Sequence, residues 1–301
     1  MINYLKYRLK NIINNNKKQL GEIQVAKSKE NYHKIKNIRD AEIKIFSQFG
    51  EDGIINFLLH KLNFKSNISF VEIGTGDYEE ANTRFLCETM ISRGLLIDKI
   101  HELKYIEKRD FFWKNDIYYC QKSITSKNIN NILEQYDFIN NFNLLSIDVD
   151  GNDYWILEKI NISNCDLVIA EYNPIFGANL SLTVPDEDHF NRYNYNKIFY
   201  GSSLLAMINL MNSKNFFFIG SNKACNNAFF VNNKRKELFL DIEVEKNDKY
   251  IDYKFRELKK NNPSENQIKN LLKKIENYTI YDLDKKKLTR IESIKSKLFD
   301  V

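Results

Sequence analysis

No apolar run in this 301-residue chain approaches the roughly 20 residues that cross a bilayer, and the N-terminus has no compact apolar segment ending in a small-residue cleavage site. The expectation is a soluble, cytoplasmic protein. The four cysteines, Cys87, Cys120, Cys165 and Cys225, show neither metal-type spacing nor a paired framework, which excludes a disulfide scaffold and fits a reducing compartment. Only three prolines and ten glycines occur, while Asn, Lys and Ile abound. That bias reads as A/T-rich coding before it reads as chemistry, and no internal repeat accompanies it. Positive charge is not spread along the chain either. Residues 1–40 hold ten Lys/Arg against three Asp/Glu, so the formal charge of +5 belongs to that arm. The remainder lacks the basic face that nucleic-acid binding requires.

What is present is enough apolar material for one sizeable core, at 43% hydrophobic and 13% aromatic residues. Three regions are expected: a basic helical arm over 1–41, a globular domain over 42–232 and a charged, helix-prone extension over 233–301. In the arm, Ile2, Leu5, Leu9, Ile12 and Ile13 share one helical face. Such a helix either seeks a membrane surface or docks on its own domain or on a second subunit. In the extension, Ile268, Leu271, Leu272 and Ile275 recur at helical spacing and suggest packing.

The globular part is organised around Ile68-Ser-Phe-Val-Glu-Ile-Gly-Thr-Gly-Asp77, a buried-strand pattern that breaks at once into a glycine turn. Glu80 to Arg93 then reads as a helix, and strand, glycine loop and helix together suit an anionic or nucleotide ligand. An ordinary strand-to-helix turn would look the same. Further apolar runs at Leu95–Ile97, Ile117–Cys120, Leu144–Val149 and Leu167–Ala170 alternate with helical stretches, including one over 154–160, which predicts a parallel sheet wrapped by helices. Phe216–Ile219 and Ala228–Val231 add a terminal antiparallel hairpin. A helix over Ile54–Leu62 precedes the sheet, with Asp52 as its expected N-cap.

Ligands of open α/β sheets lie beyond the carboxyl ends of the strands, and here those ends are acidic. Asp98 follows Gly76 by the interval at which a carboxylate accepts both hydroxyls of a ribose, although a solvated loop acid is the plainer reading. Asp148, Asp150, Glu171 and Asn173 cluster at two neighbouring strand ends, where a hard divalent cation such as Mg²⁺ would relieve their repulsion. Alternatively, Asp150 or Asp153 caps the following helix. The long insertion Gly177–Tyr200 is expected to overhang the site. It carries His189, and His189 or Asp148 is the candidate base that takes a proton from an acceptor; alternatively His189 is simply solvated.

Phe70-Val-Glu-Ile-Gly-Thr-Gly-Asp77, Asn82-Thr83, Leu145-Ser-Ile-Asp-Val-Asp-Gly-Asn-Asp153, Ala170-Glu-Tyr-Asn-Pro174 and Tyr200-Gly-Ser-Ser203, in this order, resemble the FkbM-type class I methyltransferases. The resemblance covers roughly residues 46–231. It implies a Rossmann-like sheet whose last strand is antiparallel, S-adenosylmethionine as cofactor, and methylation of a hydroxyl on a sugar or other small-molecule or glycan acceptor. The cofactor-binding set it implies is Glu72, Gly74, Thr75, Gly76, Asp77, Asp98, Ile124 and Asp148. The chain departs from the family where the second strand ends in Ile97-Asp-Lys-Ile100, without the usual Glu. Two other readings stay open: a metal-dependent glycosyltransferase using Asp148-Val-Asp150, and a methyltransferase-like assembly protein without catalysis. Peripheral membrane contact by the arm and homo-oligomerisation through the terminal helices are further expectations.

Overall fold

The structure is a computed structural model that describes residues 2–177, 179–244 and 265–298. The side chains of Ile2, Leu5 and Ile268, assigned above to helical faces, lie outside the described residues. Helix α1 (Ile2–Lys29) leads through two short 3₁₀ turns into α2 (Glu51–Lys61). Strand and helix then alternate through β1 (Ile68–Ile73), α3 (Arg84–Thr89), β2 (Ser92–Asp98), α4 (Asp110–Lys114), β3 (Asp116–Gln121), α5 (Ile129–Gln135), β4 (Leu144–Ile147), α6 (Asp153–Lys159) and β5 (Leu167–Glu171). After the short β6 (Leu182–Thr183) come α7 (Leu204–Ser213), β7 (Phe216–Ser221), β8 (Asn227–Asn232), α8 (Glu265–Ile275), β9 (Thr279–Asp282), β10 (Lys287–Arg290) and α9 (Lys295–Leu298).

The main sheet has seven strands in the order β3-β2-β1-β4-β5-β8-β7. β1 to β5 are parallel, and β8 inserts antiparallel between β5 and β7, so the expected five parallel strands and terminal hairpin both form. The fold is a Rossmann-like α/β sheet. Its core follows from the two-residue period of strands. Val71, Ile73, Leu145, Ile147, Val168 and Ala170 pack on one face, and Phe70, Leu96, Leu144, Leu167 and Ile169 on the other. Burying each large aliphatic or aromatic side chain contributes about 1.5–3 kcal/mol, which makes this two-sided core the main source of stability.

Local hydrogen bonding moves several boundaries. The helix expected over 80–93 is only six residues long, because Glu72 accepts from Asn82 N (2.9 Å), Thr83 N (3.0 Å) and the Thr83 hydroxyl, holding the preceding segment as a loop. Arg93 belongs instead to β2. Asp52 is not the N-cap of α2; Gly50, at φ +114°, occupies that position. The Asp52 carboxylate turns back to accept from the amides of Ile45, Phe46 and Ser47 at 2.7–2.8 Å. Likewise neither Asp150 nor Asp153 caps α6: Asn152 is its N-cap, and Asp153 accepts from Val149 N (2.7 Å) and Gly151 N (3.0 Å). Tyr32, Ile35, Ile38 and Ala41 are buried in the core, so apolar packing begins before residue 42. The extension also contains an unexpected hairpin, β9–β10, whose β9 pairs antiparallel with β6 of the insertion.

Candidate cofactor and acceptor site

The sheet changes direction between β1 and β4, where chain connections diverge and leave a crevice. A cavity of about 970 Å³ opens there, walled by the carboxyl ends of β1 to β5, the insertion and the Gln48–Phe49 loop. Gly74 sits at φ +85°, and a Cβ on it would lie 1.6 Å from the Asp148 carbonyl oxygen, so a hydrogen here is what lets the β1 turn approach the end of β4. Gly76, at φ +57°, faces open space: a Cβ would meet nothing within 4 Å. Its amide donates to Asp98 Oδ2 at 2.8 Å across an interval of 22 residues, and Ile100 N donates to Asp98 Oδ1 at 3.0 Å. The acid is thereby fixed beside the glycine turn, with lone pairs left for further donors.

Gly74, Gly76, Asp98, Ile124, Asp148, Asp150, Glu171 and His189 all border the cavity. The structure does not place Glu72, Thr75, Asp77 or Asn173 on that wall. Glu72 is occupied by the Asn82–Thr83 segment, the Thr75 hydroxyl donates to Gly76 O (3.3 Å), and Asp77 accepts from Glu79 N (3.1 Å). Asn173 is fully buried; its Nδ2 donates to Ile198 O (2.8 Å) and Tyr200 O (2.9 Å), and its Oδ1 accepts from Ile175 N (3.1 Å). Its carboxamide holds the insertion in place, with Oδ1 turned to Ile175 N.

The acids at the ends of β4 and β5 form a compact group in which Asp148, Asp150 and Glu171 can bring one oxygen each within 4.8 Å of the others. Burial raises the Asp148 carboxyl well above the usual carboxylate range, and Asp150 and Asp153 push it further. Glu171 is raised in the same direction by burial, then by Asp148 and Asp150. Burial also lifts Asp153, to about 6. Arg192 from the insertion pairs with Asp150, and its guanidinium lies 4.4 Å from the centre of the Tyr200 ring. Burial alone would lower the Arg192 pKa, but Asp150 more than compensates and holds it above its ordinary value. Two acceptors in this wall, Glu171 Oε2 and Asn152 Oδ1, are buried without a partner.

Gln48 and Phe49 carried no signal in the sequence, which drew attention in that loop only to Asp52. Sequence reading also did not pair Arg192 with Asp150, since 42 residues separate them and no local signal links them. Lys99, Lys122, Tyr200 and Asn226 also line the wall. The insertion is stiffened by stacking of Phe190 on Tyr195 (5.1 Å, 11°) and by Trp155 Nε1 donating to Val184 O (2.8 Å). His189 is exposed at the cavity rim.

No protein-family model and no curated protein matches the chain. Solved structures similar to it include an O-methyltransferase family 2 protein from Planctomyces limnophilus in complex with apigenin, at 9% identity and TM-score 0.34, covering 70% of this chain and 61% of that one. The CurJ carbon methyltransferase is similar at 9% identity and TM-score 0.39, covering 60% and 52%. The N-terminal domain of EvdMO1 with SAH bound aligns at 7% identity and TM-score 0.38, covering 60% and 79%. The chain thus spans between half and two thirds of the length of the first two.

Proposed function

We propose that this chain transfers a methyl group from S-adenosylmethionine to a hydroxyl of a small-molecule or glycan acceptor, as an FkbM-like O-methyltransferase. The observation that carries the reading is the open left-handed glycine at Gly76, tied to Asp98 on a cavity whose wall includes Glu171, with its buried, unpartnered Oε2. A cofactor backbone fits where the missing Cβ leaves room, and the Asp98 carboxylate suits a ribose diol. Ile97, Ile100 and Ile124 supply apolar surface at the ends of β2 and β3 for the adenine. When bound, the cofactor supplies an electrophilic methyl group on a sulfonium.

The acceptor side follows from the acids. A neutral hydroxyl is a donor, and a buried carboxylate oxygen without a partner is the group that gains most from receiving it. The Asp148–Glu171 pair then takes the hydroxyl proton as the oxygen attacks, while Arg192 balances the neighbouring Asp150. The insertion, held by Asn173 and Asn152, excludes water from that end.

A second form of the mechanism uses Mg²⁺ on Asp148, Asp150 and Glu171, favoured by the orphaned Glu171 Oε2 and opposed by Arg192 already engaging Asp150. Such an ion would lower the pKa of the bound hydroxyl. The deciding experiment follows S-adenosylhomocysteine released from S-adenosylmethionine with a panel of sugars, glycosides, phenols, amines and carbon acceptors, before and after exhaustive chelation. Hydroxyl acceptors should support turnover that survives chelation. Turnover confined to amine or carbon acceptors would overturn the O-methyl assignment, and loss on chelation with recovery on Mg²⁺ would select the second form.

A further inference from the structure

We propose that the outward face of α1 docks on an anionic lipid surface. The helix touches its own domain along one stripe, Asn14, Lys18, Gly21, Val25 and Ser28, the positions of 8–29 that are buried or half-buried. There Val25 packs with Ile45, Phe46 and Phe85, and Gly21 admits the Ile45 side chain, whose Cδ1 would lie 2.7 Å from an added Cβ. Lys10 is bridged to Glu79 at 2.9 Å. One side of the helix is therefore already occupied by the protein.

The opposite side is mostly apolar, with Asn16 and Lys27 as polar side chains within it. Leu9, Ile12, Ile13, Leu20 and Ile23 are 49–64% exposed, and at 3.6 residues per turn they form a band about 150° round the axis from the docked stripe. Isolated exposed apolar side chains are ordinary, but five in one band on a helix already docked by its other face constitute a surface.

Charge decides which occupant fits. Over residues 8–29 the sequence has Arg8, Lys10, Lys17, Lys18, Lys27 and Lys29 against Glu22 alone. A second copy would bring the same cations against these, and paired helices of one chain would repel. Anionic headgroups give the opposite result: the apolar band enters the headgroup boundary, and Arg8 and Lys17 on its two flanks with Lys27 within it lie in the negative surface potential. No helix among the described residues is long and apolar enough to cross a membrane, so the contact is peripheral.

The test is co-sedimentation of the full chain with vesicles of phosphatidylcholine alone or with added phosphatidylglycerol. Binding should be roughly tenfold stronger to the anionic vesicles and weaken in high salt. Leu20→Glu with Ile23→Glu should abolish it without lowering Tm, since both side chains are exposed; Ile12→Glu with Ile13→Glu provides an independent pair. Equal binding to both vesicle types, or none, would overturn the proposal. So would a lipid-free dimer that either pair dissociates, which would assign the band to a second copy.

Discussion

Gly74 and Gly76 share one turn but meet different constraints. Any side chain at Gly74 collides with the backbone of Asp148, so Gly74→Ala should fail at folding, whereas Gly76 opens on the cavity and its replacement should act on the ligand. Gly76→Val is expected to reduce S-adenosylhomocysteine affinity and, because a β-branched residue is strained at φ +57°, to lower Tm in a chain that still melts cooperatively. Asp98→Ala should weaken binding by about 1–3 kcal/mol, the usual loss for hydrogen bonds to a charged group, as read by calorimetry. Unchanged affinity in both variants would remove the cofactor assignment from this turn. For the acid pair the expected division differs: Asp148→Asn should lower turnover by roughly 100-fold or more while changing cofactor affinity far less. An equal loss in both quantities would make Asp148 a binding residue only.

Among the elements, the loop before α2 is the least obvious from sequence and the most tightly held. Asp52 clamps three amides and the Ser47 hydroxyl (2.7 Å), and so presents Gln48 and Phe49 to the cavity. Burial pushes its carboxyl up to about 6 against the pull of those donors. A folded pKa above the ordinary 3.8 means that the folded state binds the proton more tightly. The stability Asp52 contributes is therefore complete below the unfolded pKa and falls as pH rises from about 4 to about 6, by up to roughly 3 kcal/mol. Denaturation of wild type and Asp52→Asn across that window should show their stability difference shrinking as pH rises. A difference that grows with pH would mean that the four donors keep Asp52 ionised. Helix α1 packs on this loop through Val25 against Ile45 and Phe46 but lines no part of the cavity. Removing residues 1–28 should leave S-adenosylhomocysteine affinity within about twofold, since the helix supplies nothing to the cavity wall. Removal through residue 41 should unfold the protein, because Ile38 and Ala41 are core and Arg39 donates to Ser221 O (3.2 Å) and Ser221 Oγ (3.1 Å). Circular dichroism with calorimetry on both truncations distinguishes the two boundaries.

At the scale of the whole molecule, the parallel sheet was legible because buried strands announce themselves as short apolar runs, and the strand-end rule then pointed at Gly74, Gly76, Asp98, Asp148 and Glu171 without any view of the fold. What was not legible depended on contacts distant in sequence. Glu72 and Asn173 look identical in the sequence to ligand-facing residues, and only tertiary hydrogen bonds to Thr83 and Tyr200 reveal them as braces. The β9–β10 hairpin was hidden because its four-residue strands are mostly polar and gain their order from β6, nearly a hundred residues earlier. The pairing of Arg192 with Asp150 has the same origin, and it makes the acid pocket less demanding of a metal than its composition suggests. The claim on which the rest depends is that this cavity binds the S-adenosyl cofactor, and calorimetric titration of the full chain with S-adenosylhomocysteine tests it most directly. A single site with Kd on the order of 10 μM or tighter is predicted; no heat with S-adenosylhomocysteine at millimolar concentration, alongside saturable binding of a nucleotide diphosphate sugar, would contradict it.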